Sequence, residues 1–117
     1  MFQAQYLFYS DTVSLFSPWM VRRGDNIQIV AEALAFIGSS PELSVELYTK
    51  NSEDPGDGDP LGTALTITSV GPASKEFSGC DELVRYKYTY SSSSANSYDY
   101  ALFRMLSPVW FDDVLAP

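Results

Sequence analysis

Leu83-Val84-Arg85-Tyr86-Lys87-Tyr88-Thr89-Tyr90 is the stretch that decides the fold class. Val84, Tyr86, Tyr88 and Tyr90 recur at every second position, with Arg85, Lys87 and Thr89 between them. A period of two is strand geometry, because successive side chains point to opposite faces of a sheet. Aromatic and β-branched residues fit that pleated surface well. The segment therefore reads as a strand with one apolar face and one wet face.

Downstream, Ser91 to Ser97 is a serine-rich polar loop, and alternation resumes from Tyr98 to Leu106. Ala101, Phe103 and Met105 stand opposite Tyr100, Leu102 and Arg104. The spacing predicts a hairpin between Leu83–Tyr90 and Tyr98–Leu106. Ser107-Pro108 ends that run, and Val109-Trp110-Phe111 and Asp112-Asp113 follow.

Upstream, the longest candidate runs from Ile27 to Ile37. Ile27, Ile29, Ala31, Ala33, Ala35 and Ile37 make one face, and Val30, Leu34 and Phe36 make the other apolar as well. A strand apolar on both faces is central or covered by an interface. The run Val30–Phe36 also fits a helix, but its Ile-rich flank and the bracketing Gly24 and Gly38 favour a strand. Further strands are predicted over Phe2–Tyr9, Val13–Phe16, Leu43–Tyr48 and Leu65–Thr68, and Phe77 seats a short element. Ser10-Asp11, Ser17-Pro18, Gly24-Asp25-Asn26, Gly38-Ser39-Ser40-Pro41 and Gly71-Pro72 punctuate them. Seven or eight strands at this spacing predict an all-β, antiparallel two-sheet β-sandwich, jelly-roll-like, in a single domain over 1–117. The residues from 109 to 117 are expected to form a docking tail.

Composition narrows the function. The 117 residues include no histidine and one cysteine, Cys80. That removes the side chain most used for proton transfer near neutral pH and the commonest metal ligand. Ser-His-Asp and Cys-His catalysis and His-containing or multi-Cys zinc sites are excluded within one chain. Cys80 cannot form an internal disulfide and reads as a buried thiol. Strand-borne acids are few, with no spacing of the kind a two-carboxylate hydrolase needs. The chain is expected not to be an enzyme.

The net charge of −8 disfavours nucleic acid and anionic membranes as partners. No apolar stretch is long enough to span a bilayer as a helix. Met1–Gln5 lacks a basic n-region, which reads as cytoplasmic synthesis without a signal peptide, compatible with later incorporation into a virion. With no histidine, a pH response would fall to carboxylates, and Glu53–Asp59 and Asp112-Asp113 are where they cluster.

Four candidate sites follow. Asn51 to Pro60 carries no aliphatic or aromatic side chain and places Asp54, Asp57 and Asp59 among glycines. Calcium takes several such oxygens, so these three are candidate cation ligands, although the helices and closing glutamate of an EF-hand are missing. A solvated hairpin loop explains the same residues. Arg23-Gly24-Asp25 matches a tripeptide read by integrins, and a turn between strands accounts for it fully. Arg85 and Lys87 share a strand face, where carboxylates of a neighbouring strand could meet them. Tyr86, Tyr88 and Tyr90 fill a core, form a subunit interface or stack on a glycan. They are candidate interface residues together with Trp19, Trp110 and Phe111, whose Ser-Pro contexts suggest the two ends of the sandwich.

The expectation that follows is a non-catalytic structural subunit of a larger particle, such as a phage or virus-like capsid decoration or tail component. It would be a homo-oligomer or pair with other structural proteins, without a cofactor. The alternative is a β-sandwich module that binds a glycan or a calcium-assisted ligand.

Overall fold

This computed structural model describes residues 4–9, 13–38, 40–91 and 100–112. None of them is helical, so none forms a helix able to cross a membrane. They form eleven strand segments: β1 Ala4–Tyr9, β2 Val13–Phe16, β3 Met20–Val21, β4 Asn26–Ile37, β5 Glu42–Lys50, β6 Asp59–Pro60, β7 Leu65–Ile67, β8 Gly71–Ser78, β9 Leu83–Ser91, β10 Tyr100–Met105 and β11 Val109–Phe111.

The segments fill eight ladder positions. β2 and β3 both pair with the edge of β9 that β5 leaves free. β6 and β7 share one edge of β5, and β10 and β11 share one edge of β4. Sheet A then runs β1, β10/β11, β4, β8, and sheet B runs β2/β3, β9, β5, β6/β7. Counted by position, the first strand pairs with the eighth, the second with the seventh, the third with the sixth and the fourth with the fifth. This is a long antiparallel ribbon folded over on itself, the topology of a jelly roll. All its ladders are antiparallel, and the fold is the expected two-sheet β-sandwich.

Three positions are split, which is why eleven segments stand where seven or eight strands were expected. Two of the breaks use the same device. Phe16 pairs with Lys87 and Met20 with Val84, so the chain holds one residue more than its partner between them. Ser17 still bonds β9, its N–H donating to the Tyr86 carbonyl at 2.9 Å. Its Oγ accepts the Tyr86 N–H, also at 2.9 Å. Pro18 and Trp19 then oppose Arg85 alone, a one-residue bulge. Ser107-Pro108 repeats the arrangement: Leu106 N–H reaches the Val30 carbonyl, and Val109 pairs with Gln28. Proline cannot donate to a ladder, so each bulge falls where proline forces it.

The predicted hairpin of Leu83–Tyr90 with Tyr98–Leu106 does not form. β9 belongs to sheet B and β10 to sheet A, and each pairs elsewhere. Alternation specifies a half-buried strand but not which strand lies beside it. The inward face of β4 also changes phase. Leu102 pairs with Ala35 but Phe103 pairs with Ala33, leaving Leu34 as an extra residue. Ile27, Ile29, Ala31 and Ala33 are buried, whereas past the bulge Phe36 packs on the core and Ile37 is 47% exposed. Ala35 and Ile37 therefore leave the face assigned to them. Gly71-Pro72 opens β8 rather than separating elements. Val109–Phe111, expected to begin a docking tail, folds back as β11 onto Asn26–Gln28. The rest of the tail, Asp113–Pro117, the Ser92–Ser97 part of the expected loop and the first residues of the expected Tyr98–Leu106 strand, Tyr98 and Asp99, lie outside the described residues.

The core lies between the sheets and is aromatic. Tyr86, Tyr88, Tyr90, Phe103, Ile27, Ile29, Leu43, Leu47 and Met105 are its largest fully buried side chains. Burying an aromatic of this size removes about 150–250 Å² from water, so a few rings dominate the stabilisation.

Candidate functional site

The two outer faces of the sandwich differ in chemistry. On sheet B the outward side chains of β5 and β9 include Ser44, Glu46, Tyr48, Arg85, Lys87 and Thr89. The bulge at Pro18 delivers Trp19 to this face. Arg85 is the hub. Its guanidinium carbon lies 3.8 Å from the Phe16 ring centroid and 4.3 Å from that of Trp19. Its Nη2 donates to Asp57 Oδ1 at 2.9 Å and to the Asp57 carbonyl at 3.2 Å. The Arg85 side chain is only 12% exposed. Phe16 meets Tyr48 edge to face at 5.2 Å, and Lys87 Nζ approaches both rings.

The acidic loop is strapped down to this face. Lys50 Nζ donates to the carbonyls of Asp54 and Gly56, each at 3.2 Å, and lies 5.0 Å from the Trp19 ring centroid. Gly58 has φ +80°, and a Cβ there would stand 2.8 Å from the Thr49 carbonyl oxygen and 3.0 Å from Trp19. Only glycine fits both the backbone angle and the space. An open recess of about 260 Å³ lies here, lined by Thr49, Lys50, Asp54, Pro55, Asp57, Gly58, Asp59 and Asp81.

The three candidate cation ligands are not brought together as a ligand set. Asp57 faces Arg85, Asp54 Oδ2 accepts the Asn51 N–H at 3.3 Å, and Asp59 sits in β6 in register with Thr49. Among the described residues no three His, Cys, Asp or Glu side chains are grouped to hold a metal ion. The loop's carboxylate finds its partner on the sheet, and the recess contains an ammonium. Arg85 likewise meets a loop carboxylate rather than the neighbouring-strand carboxylate expected of it.

Tyr86, Tyr88 and Tyr90 are at most 1% exposed. As interface candidates they are corrected: their rings fill the space between the sheets, and no partner of the folded chain reaches them. Trp110 is half-buried against the core, because β11 pairs Trp110 with inward-facing Ile27. Trp19 is half-buried over Arg85. Phe111, at 37% exposure, is the one interface candidate with an open side chain.

Arg23-Gly24-Asp25 is a structural turn. A Cβ on Gly24 would lie 3.0 Å from the Phe111 carbonyl oxygen and 3.1 Å from its nitrogen. The Asp25 N–H donates to Asp112 Oδ1 at 3.1 Å, and its carbonyl accepts the Cys80 N–H at 2.9 Å. Arg22 closes the same end, Nη1 donating to the Cys80 carbonyl at 2.7 Å. Cys80 is buried, and desolvation pushes its thiol pKa up against the opposing field of Arg22.

The outer face of sheet A carries an apolar strip along β4, β10 and β11, and β8 borders it with exposed Pro72, Ser74, Glu76 and Ser78. β4 turns Val30 outward between its buried isoleucines and alanines, and β10 turns Leu102 outward between Ala101 and Phe103. Leu106 lies beside Val30, and β11 adds Val109, 52% exposed, and Phe111. Gln28, beside Val109 and Glu76, and one ion pair interrupt this strip. Arg104 and Glu32 are direct cross-strand partners, with Arg104 Nη2 and Nε at 2.6 and 2.7 Å from Glu32 Oε1. The two-faced β4 was legible in its sequence. The cross-strand pair was not, because it depends on β10 rather than β9 lying beside β4. No protein-family model, curated protein or solved structure gives a significant match to the chain.

Proposed function

We propose that this protein is a non-catalytic jelly-roll subunit that assembles into a larger particle through the outer face of sheet A. The observation that carries the reading is the asymmetry of the two outer faces. Sheet B carries a charged surface centred on Arg85 and latched by its own loop, with Val21 exposed at its β3 edge. Sheet A carries exposed Val109 and Phe111 and half-buried Val30 and Leu102 around the ion pair of Arg104 and Glu32, with the polar residues of β8 at the margin. An exposed apolar sheet face is the usual mark of a contact surface.

Edge-to-edge strand pairing is the less suitable route. Three outer positions carry proline: Pro18 between β2 and β3, Pro60 in β6 and Pro72 in β8. Prolines and broken strands at edges oppose pairing with another chain. Assembly by a face also suits a particle of the phage or virus-like type, where jelly rolls recur as capsid domains, an argument by fold analogy.

Light scattering coupled to size-exclusion chromatography tests the reading. A defined oligomer insensitive to EDTA is expected. A monomer at high concentration whose Tm rises with calcium or sugar would overturn it in favour of a ligand-binding module at the recess beside Trp19.

A further inference from the structure

We infer that the occupant of this face is a second copy of the chain, related by a two-fold axis that runs along the strands between β4 and β10. The inference rests on the assembly reading above and adds the partner and its register. A two-fold interface must be self-complementary, with residue i meeting j and j meeting i. An in-plane axis lying between two adjacent strands carries each strand over its neighbour's image. Each outward residue of β4 then meets the partner's copy of its own cross-strand neighbour.

The register satisfies that condition at the middle of the face, from Val30 to Ala35, whereas toward β11 Gln28 meets the partner's Val109. Glu32 pairs with Arg104 within the chain, so across the axis Glu32 meets the partner's Arg104 and Arg104 meets the partner's Glu32. Four charges then alternate in sign. Ala35 meets the partner's Leu102, and Val30 meets the partner's Leu106, apolar on apolar. An axis across the strands would instead set Glu32 against the partner's Glu32.

Charge and size agree with this choice. Each copy carries −8, and two copies approach with less repulsion through a face whose central charges cancel, leaving Glu76 on its β8 margin. Arg104 and Glu32 neutralise one another at the middle of that patch. Twelve residues of β4 at about 3.3 Å and four ladder positions at about 4.8 Å give a face of about 40 by 19 Å. That is close to the roughly 800 Å² per partner of a standard specific interface.

The test is charge swapping followed by mixing. Glu32→Arg gives a chain with two cations at the centre of the face, and Arg104→Glu gives one with two anions. The native chain is expected at twice its 13.0 kDa mass, and each single variant at 13.0 kDa. An equimolar mixture of the two variants is expected to recover the dimer, one copy of each, in native mass spectrometry. Circular dichroism checks that each variant is folded, and Val109→Glu, at an exposed position, is expected to weaken the dimer independently. An oligomer that both swaps and Val109→Glu leave intact overturns this inference while leaving the assembly reading standing. So does a mixture of dissociated variants that forms no mixed dimer. A native chain that is monomeric at every concentration overturns the inference directly, and the calcium and sugar response then decides the assembly reading.

Discussion

The ring of Tyr88 on β9 lies 5.4 Å from the ring of Phe103 on β10, tilted by 59°, and the contact spans the two sheets. These strands are consecutive in the described chain, yet they touch across the core rather than along a ladder. The contact is where the two halves of the jelly roll meet.

Removing the ring of Phe103 leaves a cavity at this junction. Phe103→Ala is expected to destabilise the fold by about 3–5 kcal/mol, the range for large aromatic truncation in a packed core. The measurement is urea unfolding, with a lower midpoint and an unchanged slope. A loss below about 1 kcal/mol would mean that the two sheets are held together elsewhere.

Arg85 is held more by its rings than by its ion pair. The Asp57 side chain is 77% exposed, so solvent screens the pair, and Asp57→Asn should change stability by no more than about 0.5 kcal/mol. Arg85→Ala removes the stack on Phe16 and Trp19 and should cost about 1–2 kcal/mol. Equal losses for the two variants in chemical denaturation would refute the stacking account.

Millimolar calcium is expected to leave the Tm unchanged, and EDTA likewise. Asp54, Asp57 and Asp59 are directed to different partners, and Lys50 occupies their midst. A saturable rise in Tm with calcium, abolished by Asp57→Asn, would show that the loop rearranges to bind it.

Gly24 and Gly58 should resist substitution for different reasons. Gly24→Ala drives a Cβ against the backbone of Phe111, which cannot rotate away. Gly58→Ala adds a left-handed backbone angle to its clash with Thr49. Each is expected to cost about 1–3 kcal/mol, from overpacking at Gly24 and from backbone strain and overpacking at Gly58. Gly56→Ala meets no atom within 4 Å, and with φ +86° it reports the backbone term alone. It should therefore lose less stability than Gly58→Ala in thermal unfolding.

Cys80 should be protected in the folded state. Burial raises its pKa, so the thiolate that reacts with alkylating reagents is scarce. Alkylation is expected to be slow in buffer and rapid in denaturant. The sign of the linkage follows from the direction of the shift. The folded state favours the neutral thiol, so its contribution is present below the ordinary thiol pKa and is lost as pH rises through the raised one. Cys80→Ser should flatten that alkaline slope.

Several features were legible because they are local. Period-two alternation in Leu83–Tyr90 marked a strand, and that strand does bury its tyrosines. Apolar residues on both faces of β4 fit its central place, between β8 on one side and β10 and β11 on the other. Ser17-Pro18 and Ser107-Pro108 marked breaks, because a missing N–H interrupts any ladder it enters. The tyrosines' candidacy as interface residues failed because alternation cannot say whether an apolar face meets its own domain or another.

By itself the sequence determined the fold class, the absence of histidine and the position of the longer strands, though not of β3, β6 or β11. Those follow from side-chain period, from composition and from turn residues, all properties of short segments. Tertiary structure alone decided which strands are neighbours. It moved β10 away from β9 and set Arg104 against Glu32. It also brought Asp57 down onto Arg85 and gathered the apolar outward side chains of β4, β10 and β11 into one strip. The reason is physical: pairing depends on how distant apolar faces cover one another, and no local pattern encodes that choice.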